Sequence, residues 1–485
     1  MARFGFCGPT YSSQSLIADA QRCVNFYPEV IESQLGKSMV ALYPAPGLKV
    51  FCTLAGPSVR GQSAINGRCF AVSGGVLSEV FGNGTSAALG NLANDGLPVS
   101  MAASPTQLLV ASAGHGYVYD LGSGVFTADP ANLVNPAMVA YFDSYFVAVQ
   151  GGTNRFQIST PLDATNWSGL NVIPIQVFPD NLVAIVVDHR EMWVFGQTKS
   201  TVYYDSGSSS IFDVNPNAGV IEQGLEAAAS PARLDNTVYW LGVDERGAAV
   251  AYRANGYTPQ RISNHAIECA WSQYPTRKDA IGYSYQEQGH NFWVLQFPSG
   301  KATWVFDAAT QMWHERAYLN NGALEAHLGQ NHVYGFGKHL VGDRQSGNIY
   351  QMSLSFYDDA GMAIRRMRRA PHISVEQQWI FHNQLQVDVE AGLGLHSGQG
   401  SDPKLMLRWS DDGGKTWSNE STASAGKAGQ YKARAIWRRL GRSRDRVYEV
   451  SASDPIPWRI VDAYLMASPG YDPQPRAAAE YAKRS

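Results

Sequence analysis

The chain has 485 residues, 45% of them hydrophobic and 16% charged, and 38 Lys and Arg against 41 Asp and Glu leave a net charge of −3. That length allows two or three domains with a large core, and a charged fraction well below the usual quarter fits a surface that partners cover. Five cysteines (Cys7, Cys23, Cys52, Cys69, Cys269) with no CxxC pair argue against a disulfide framework and a zinc site, and an N-terminus without an apolar leader core, in a chain without any run near 18 apolar residues, argues against secretion and a membrane span.

Residues 1–60 stand outside any repeat. Gln21-Arg22-Cys23-Val24-Asn25-Phe26-Tyr27-Pro28-Glu29 and Tyr43-Pro44-Ala45-Pro46-Gly47-Leu48 carry prolines that oppose a helix. They predict an extended arm with one or two edge strands, placed to close a ring of blades or to reach a neighbouring subunit.

Residues 61–365 carry a strand hairpin that returns seven times. Cys69–Ser73 leads to Leu77–Phe81, Leu108–Ala111 to Gly116–Asp120, and Tyr145–Val149 to Arg155–Ser159. Glu191–Phe195 leads to Thr201–Tyr204, Thr237–Leu241 to Ala249–Arg253, Asn291–Leu295 to Ala302–Asp307, and His332–Phe336 to Gly347–Gln351. Their spacing is a blade period, since four short strands and their turns take roughly 40–50 residues. A lone blade cannot bury both faces, so neighbours must stack about an axis. Gly74-Gly75, Asn83-Gly84, Gly151-Gly152 and Asn320-Asn321-Gly322 supply hairpin turns. The prediction is all-β: a propeller of six or seven blades, the seventh depending on help from the N-terminal region. Ala266–Ser272 reads as a turn or two of helix, and Gly219–Ala229 leaves the element type open.

Arg365, Arg366, Arg368 and Arg369 mark a break, and the pattern beyond it changes. Asn383–Glu390 alternates as a half-buried strand does. Lys404–Trp409 is expected to pair across a turn with Thr416-Trp417, and Ala433–Arg438 and Arg446–Val450 follow. Residues 366–470 therefore read as a separate β-sandwich-like domain, and 471–485 as a tail. Charge divides unevenly: residues 361–450 hold 15 Lys or Arg and 9 Asp or Glu, against 23 and 32 in the rest. A basic module on an acidic body points to an anionic contact. The Arg365–Arg369 cluster and the one that includes Arg438 and Arg439 read as DNA lining or as docking sites for an acidic subunit, with docking preferred.

Ser410-Asp411-Asp412-Gly413-Gly414-Lys415-Thr416-Trp417 fits an Asp-box turn built on Ser410, Asp412, Gly414, Thr416 and Trp417. Its carboxylate accepts turn N–H groups, glycine permits the reversal and the indole packs beneath. The motif is similar to sialidase hairpins, but those sit repeatedly within blades, and this one lies beyond them. Asp143, Asp188, Asp235 and Asp307 recur near the hairpins, where they read as turn caps. The histidines are scattered, and His327 with His332 is the nearest approach to a metal pair. Glycoside hydrolysis by paired carboxylates at a propeller axis is the enzymatic alternative, and a generic partner-binding propeller is the third. The reading has no catalytic residue, cofactor site or metal site.

The whole chain resembles the tail hub, or nozzle, proteins of short-tailed bacteriophages, also called packaged-DNA stabilisation proteins. Arg22-Cys23-Val24-Asn25-Phe26-Tyr27-Pro28-Glu29 is similar to that family's opening R-x-x-N-x-Y-P-E signature. The order of arm, propeller hairpins and C-terminal β-module with Arg408–Trp417 adds to the likeness. The resemblance implies a structural virion protein without enzymatic activity, in a homohexameric ring of the virion tail assembled in the host bacterial cytoplasm. It implies a portal-adaptor ring above, a tail needle or plug and tailspikes or fibres as partners, and DNA that passes through the lumen without sequence-specific binding. Phe26, Tyr27, Pro28 and Glu29 are expected to form an intersubunit or ring-closing segment.

Overall fold

The computed structural model describes residues 2–33, 36–207, 211–243 and 247–470. The chain divides into two compact units, one spanning Pro46–Ile364, the other joining residues up to Ala45 with those from Arg365 onward. The segment 1–60, expected as one arm, is thus shared between them. The expected tail 471–485 lies outside the described residues.

Among the described residues, the first unit holds seven antiparallel sheets in succession. Their first strands are Val59–Ile65, Ser100–Ala103, Pro136–Phe142, Leu182–Asp188, Ala232–Leu234, Ile281–Glu287 and Gly329–Gly335. Each first strand packs against the next blade, and the seventh against the first, which closes a propeller ring. The apolar hairpins of the sequence are the second and third strands of the first six blades. They are the most apolar because a neighbouring blade covers each of their faces. In blade 1, Cys69, Phe70, Ala71 and Val72 are all buried. In blade 7 the sequence reading takes the first strand for the second and passes over Lys338–Asp343, whose Lys, His and Asp hide the pattern.

The last blade is completed from the N-terminal side. Gly47–Thr53 pairs antiparallel with Asn348–Ser353, placing Leu48 opposite Met352 and Cys52 opposite Ile349. This closing strand removes the edge that blade 7 would otherwise leave. Blades meet closely: a Cβ on Gly282, in the first strand of blade 6, would lie 1.9 Å from the Ser230 carbonyl oxygen of blade 5. The expected short helix is present as His265–Ser272. Asn264 caps it by accepting from Ile267 N–H, and it buries Ala266, Ile267 and Trp271. The Trp271 indole meets Phe297, Trp304 and Trp313.

The second unit is a two-sheet sandwich. One sheet runs in the order Phe26–Val30, Val40–Pro44, Ile460–Pro469, Ile380–Val389, Ala435–Arg438. The other contains Ala20–Val24, Arg366–Arg369, Asp445–Ala452, Lys404–Ser410 and Ser421–Ser424. Phe26, Leu42, Leu385, Val387 and Trp437 from the first sheet share one core with Leu405, Leu407, Tyr448 and Val450 from the second. The partner of Lys404–Ser410 differs from the expected Thr416-Trp417. Leu407 pairs with Ser421, because the Asp-box turn occupies the residues between.

Candidate functional site

Three places concentrate the polar chemistry: the rim where the first two strands of each blade turn, the Asp-box turn, and the arginines of the sandwich.

The rim turns are tight. Asn66-Gly67, Asp143-Ser144, His189-Arg190, Asp235-Asn236, Gln288-Gly289 and Phe336-Gly337 all have positive φ at both positions. That is the two-residue geometry whose twist matches the flanking strands. It places side chains of successive blades side by side. Arg190 donates to Asp143 at 3.0 Å, Arg233 to Asp188 at 3.0 Å, and Asn291 to Asp235 at 3.5 Å. Asp143, Asp188 and Asp235 therefore stitch one blade to the next. Asp307 acts within its own blade, accepting from Ala309 N–H at 3.0 Å and Thr310 Oγ1 at 2.8 Å and bonding His290 Nδ1 at 2.7 Å.

A cleft of about 740 Å³ opens at this rim over blades 4 to 7, with Arg233, Asp235, Tyr285, His332, Tyr334 and His339 in its wall. His332 Nε2 lies 3.0 Å from His339 Nδ1, and His339 Nε2 lies 3.6 Å from Glu287. Burial, with the neighbouring His339, pushes the pKa of His332 down to about 3. Burial likewise lowers His339 and raises Glu287. The two histidines of the wall are thus uncharged near pH 7. His327, expected as the nearest metal partner of His332, is fully buried and accepts from Gly329 N–H through Nδ1 at 3.2 Å. Among the described residues, no cluster of three His, Cys, Asp or Glu has the arrangement to hold a metal ion.

The Asp-box turn is built from its own side chains. Asp412 accepts from Ser410 Oγ at 2.6 Å, Lys415 N–H at 2.9 Å, Thr416 N–H at 2.9 Å and Thr416 Oγ1 at 2.6 Å. Those bonds hold its carboxyl well below the usual carboxylate range, the Ser410 and Thr416 hydroxyls contributing most. Trp417 Nε1 closes the turn on the Gly414 carbonyl at 3.0 Å. The indole then lies between two guanidiniums, Arg369 at 4.6 Å and Arg408 at 4.7 Å from its centroid. Both arginines converge on the buried Glu449, at 2.9 and 2.5 Å. The turn is a structural clamp.

Several expected contact residues are placed inside the fold. Phe26 and Tyr27 are 1% and 3% exposed. Phe26–Val30 pairs with Val40–Pro44, and the Tyr27 ring packs edge-on against Tyr43. Phe26, Tyr27 and Pro28 thus spend their surface on the chain's own sandwich, and Glu29 is half-buried beside them. Little of their surface is left over for the intersubunit or ring-closing contact that the sequence suggests. Asn25 in the same signature has φ 56° and donates through Nδ2 to the Arg365 carbonyl at 2.9 Å, which makes it the corner between two strands.

The arginine break is likewise drawn into the fold. Arg366 and Arg368 are fully buried. Arg368 donates to the carbonyls of Phe6 at 2.6 Å and Pro9 at 2.8 Å and to Gln21 Oε1 at 2.6 Å. Arg369 is held by Glu449, and Arg365 by Glu420 at 2.5 Å. For Arg368 the acceptors lie more than 300 residues away in the chain. Arg438 and Arg439 are exposed. The Arg408–Glu449 and Arg446–Asp411 pairs, the latter at 2.6 Å, escape the sequence reading, because nothing local links their members.

Residues 18–357 match the family model described as bacteriophage P22 Gp10, β-propeller, and residues 365–467 match the one described as bacteriophage P22 Gp10, β-sandwich. Among solved structures, the chain is similar to the N-terminal domain of Nup159, with 11% identity, TM-score 0.39, and coverage of 68% of this chain and 98% of that one. It is similar to the extracellular domain of the putative one-component system BT4673 from B. thetaiotaomicron, with 9% identity, TM-score 0.42, and coverage of 70% and 43%. PorZ, a surface component of the type-IX secretion system of Porphyromonas gingivalis, gives 11% identity, TM-score 0.37, and coverage of 77% and 46%. The chain spans less than half the length of these last two proteins. No curated protein matches the sequence.

Proposed function

The chain belongs to the bacteriophage P22 Gp10 family of phage structural proteins, a virion tail component, and on that premise we propose that it forms a tail-hub ring of six copies. The ring continues the DNA channel below the portal-adaptor, retains the packaged genome until ejection, and anchors a needle or plug together with tailspikes or fibres. It assembles in the host cytoplasm. The DNA passes through without sequence readout.

The observation that carries this reading is the pair of family matches, which follow one another along the chain and together take in both units. The physics of the units agrees with a mechanical role. Gly47–Thr53 closes the propeller by main-chain pairing, and the rim bonds from Arg190, Arg233 and Asn291 tie blade to blade. Such a body deforms little under load, since its packed interfaces are bistable or rigid and not continuously compliant.

The test is the mass of the purified chain in solution, alone and with its portal-adaptor partner. A six-copy ring in at least the second case is the expected result. A chain that stays monomeric in both, and particles that keep their DNA when the protein is omitted, would sink the proposal.

A further inference from the structure

One edge of the sandwich carries a group of exposed arginines. Strand Ile380–Val389 pairs with Ala435–Arg438 and, beyond Arg439–Gly441, with Arg442-Ser443. Arg438, Arg439, Arg442 and Arg444 therefore follow one sheet edge, and all four are exposed. Two of them approach the Trp379 ring, with the Arg442 guanidinium 4.5 Å and that of Arg444 5.0 Å from its centroid.

The contrast with the inner arginines is in the partners. Arg365, Arg369, Arg408 and Arg446 each face a carboxylate. Among the described residues, Arg438, Arg439 and Arg442 have none. Of the acids nearest in sequence, Asp445 is bonded to His372 at 2.8 Å, and Glu376 stands exposed on the segment leading to Trp379.

We propose that this edge binds the phosphate backbone of double-stranded DNA without reading its sequence. A guanidinium stacked on an indole keeps its plane fixed and its N–H edge outward, so little ordering remains to be done when a phosphate arrives. Arginine also forks onto phosphate oxygens, which a lysine point charge does not. A protein partner would be expected to meet a broad apolar centre, and among the described residues of the three paired strands Phe381, opposite Arg442, is the one apolar side chain that is exposed. Guarding a sheet edge needs charge of either sign and no stacking ring. The inference goes beyond the hub proposal and does not depend on the ring.

The experiment measures anisotropy of a fluorescent duplex of about 30 base pairs with the purified full-length chain across salt concentrations. Affinity should fall steeply with salt, by a log–log slope of about 0.9 per phosphate engaged. The R438E/R439E/R442E variant keeps the edge charged, so the edge guard survives. It should bind at least about tenfold more weakly, with a slope reduced by about 2–3. R442K, which keeps the charge and loses the stack, should fall between, and K278E on the propeller should match the parent. The proposal is overturned if the parent does not bind, or if the triple variant keeps the parental affinity and slope. Displacement of the duplex by polyglutamate as readily as by unlabelled DNA would also overturn it, assigning the edge to an acidic protein. Solution mass is followed in parallel: DNA binding should fall at unchanged mass, and a loss that comes only with loss of the parental mass would make the edge a subunit contact and end the proposal.

Discussion

In the propeller, Gly47–Thr53 seals the last blade through a ladder with Asn348–Ser353 and through buried Leu48 and Cys52. In the sandwich, Ala20–Val24 also joins a ladder, with Arg366–Arg369, but the irregular residues before it are fastened by a buried side chain. Arg368 collects the carbonyls of Phe6 and Pro9 together with Gln21. The difference follows from regularity. A repeat already offers an edge with the right spacing of donors and acceptors, so main-chain pairing suffices. An irregular segment leaves carbonyls facing inward, and a buried carbonyl requires a donor. A guanidinium supplies several from one place.

The largest expected separation between the two units comes from acid. Burial lowers His314 and His332 to about 3 and His327 well below its ordinary value, all in the propeller. These histidines are neutral when folded and take up protons when unfolded. Their stabilising contribution is complete above pH of about 6.5 and declines as pH falls toward their folded values. At pH 5 the loss is about 2 kcal/mol for each of His314 and His332, and His327 adds to it in the same direction. Among its described residues the sandwich has one comparable group, His382, lowered to about 4 by burial and Arg446. Calorimetry from pH 7.5 to 5 should show the propeller transition moving further than the sandwich transition; equal movement would break the comparison.

Next in size is Arg368→Met. It fills the space and removes the donors, stranding carbonyls in the core, and should cost the sandwich about 3–5 kcal/mol. Denaturant unfolding followed by hydrogen exchange should place the loss in residues 2–45 and 365–470, with the propeller amides unchanged. If the loss is under about 1 kcal/mol, the clamp account is wrong. The smallest is Leu48→Ala on the closing strand, a truncation of a fully buried side chain. It should cost the propeller about 3 kcal/mol and raise exchange in Asn348–Ser353 first, because the ladder opens at the seal.

The propeller was legible because its signal is local and repeated. Val-, Tyr- and Trp-rich second and third strands are buried on both faces, so each blade writes its own pattern. First and fourth strands were not, since they face the axis or the rim and tolerate polar residues. The rim turns at Asp143-Ser144 and His189-Arg190 lacked glycine, the usual mark of positive φ, and only their geometry reveals them. The Asp-box turn could be read residue by residue, because the bonds that Asp412 and Trp417 Nε1 make in it lie within eight positions. The arginines of 365–369 could not: their charge suggested a surface, and the acceptors of Arg365, Arg369 and Arg368 lie 55, 80 and 362 residues away.

Composition and periodicity thus determined an all-β chain, a blade-forming middle and a distinct C-terminal module, since the spacing of apolar residues fixes which faces must be buried. Tertiary structure decided which N-terminal strand joins which unit, which arginines are core and which are edge, and how the acids of the rim are spent. Those outcomes depend on contacts between residues hundreds of positions apart, and a buried guanidinium has the same one-letter symbol as an exposed one.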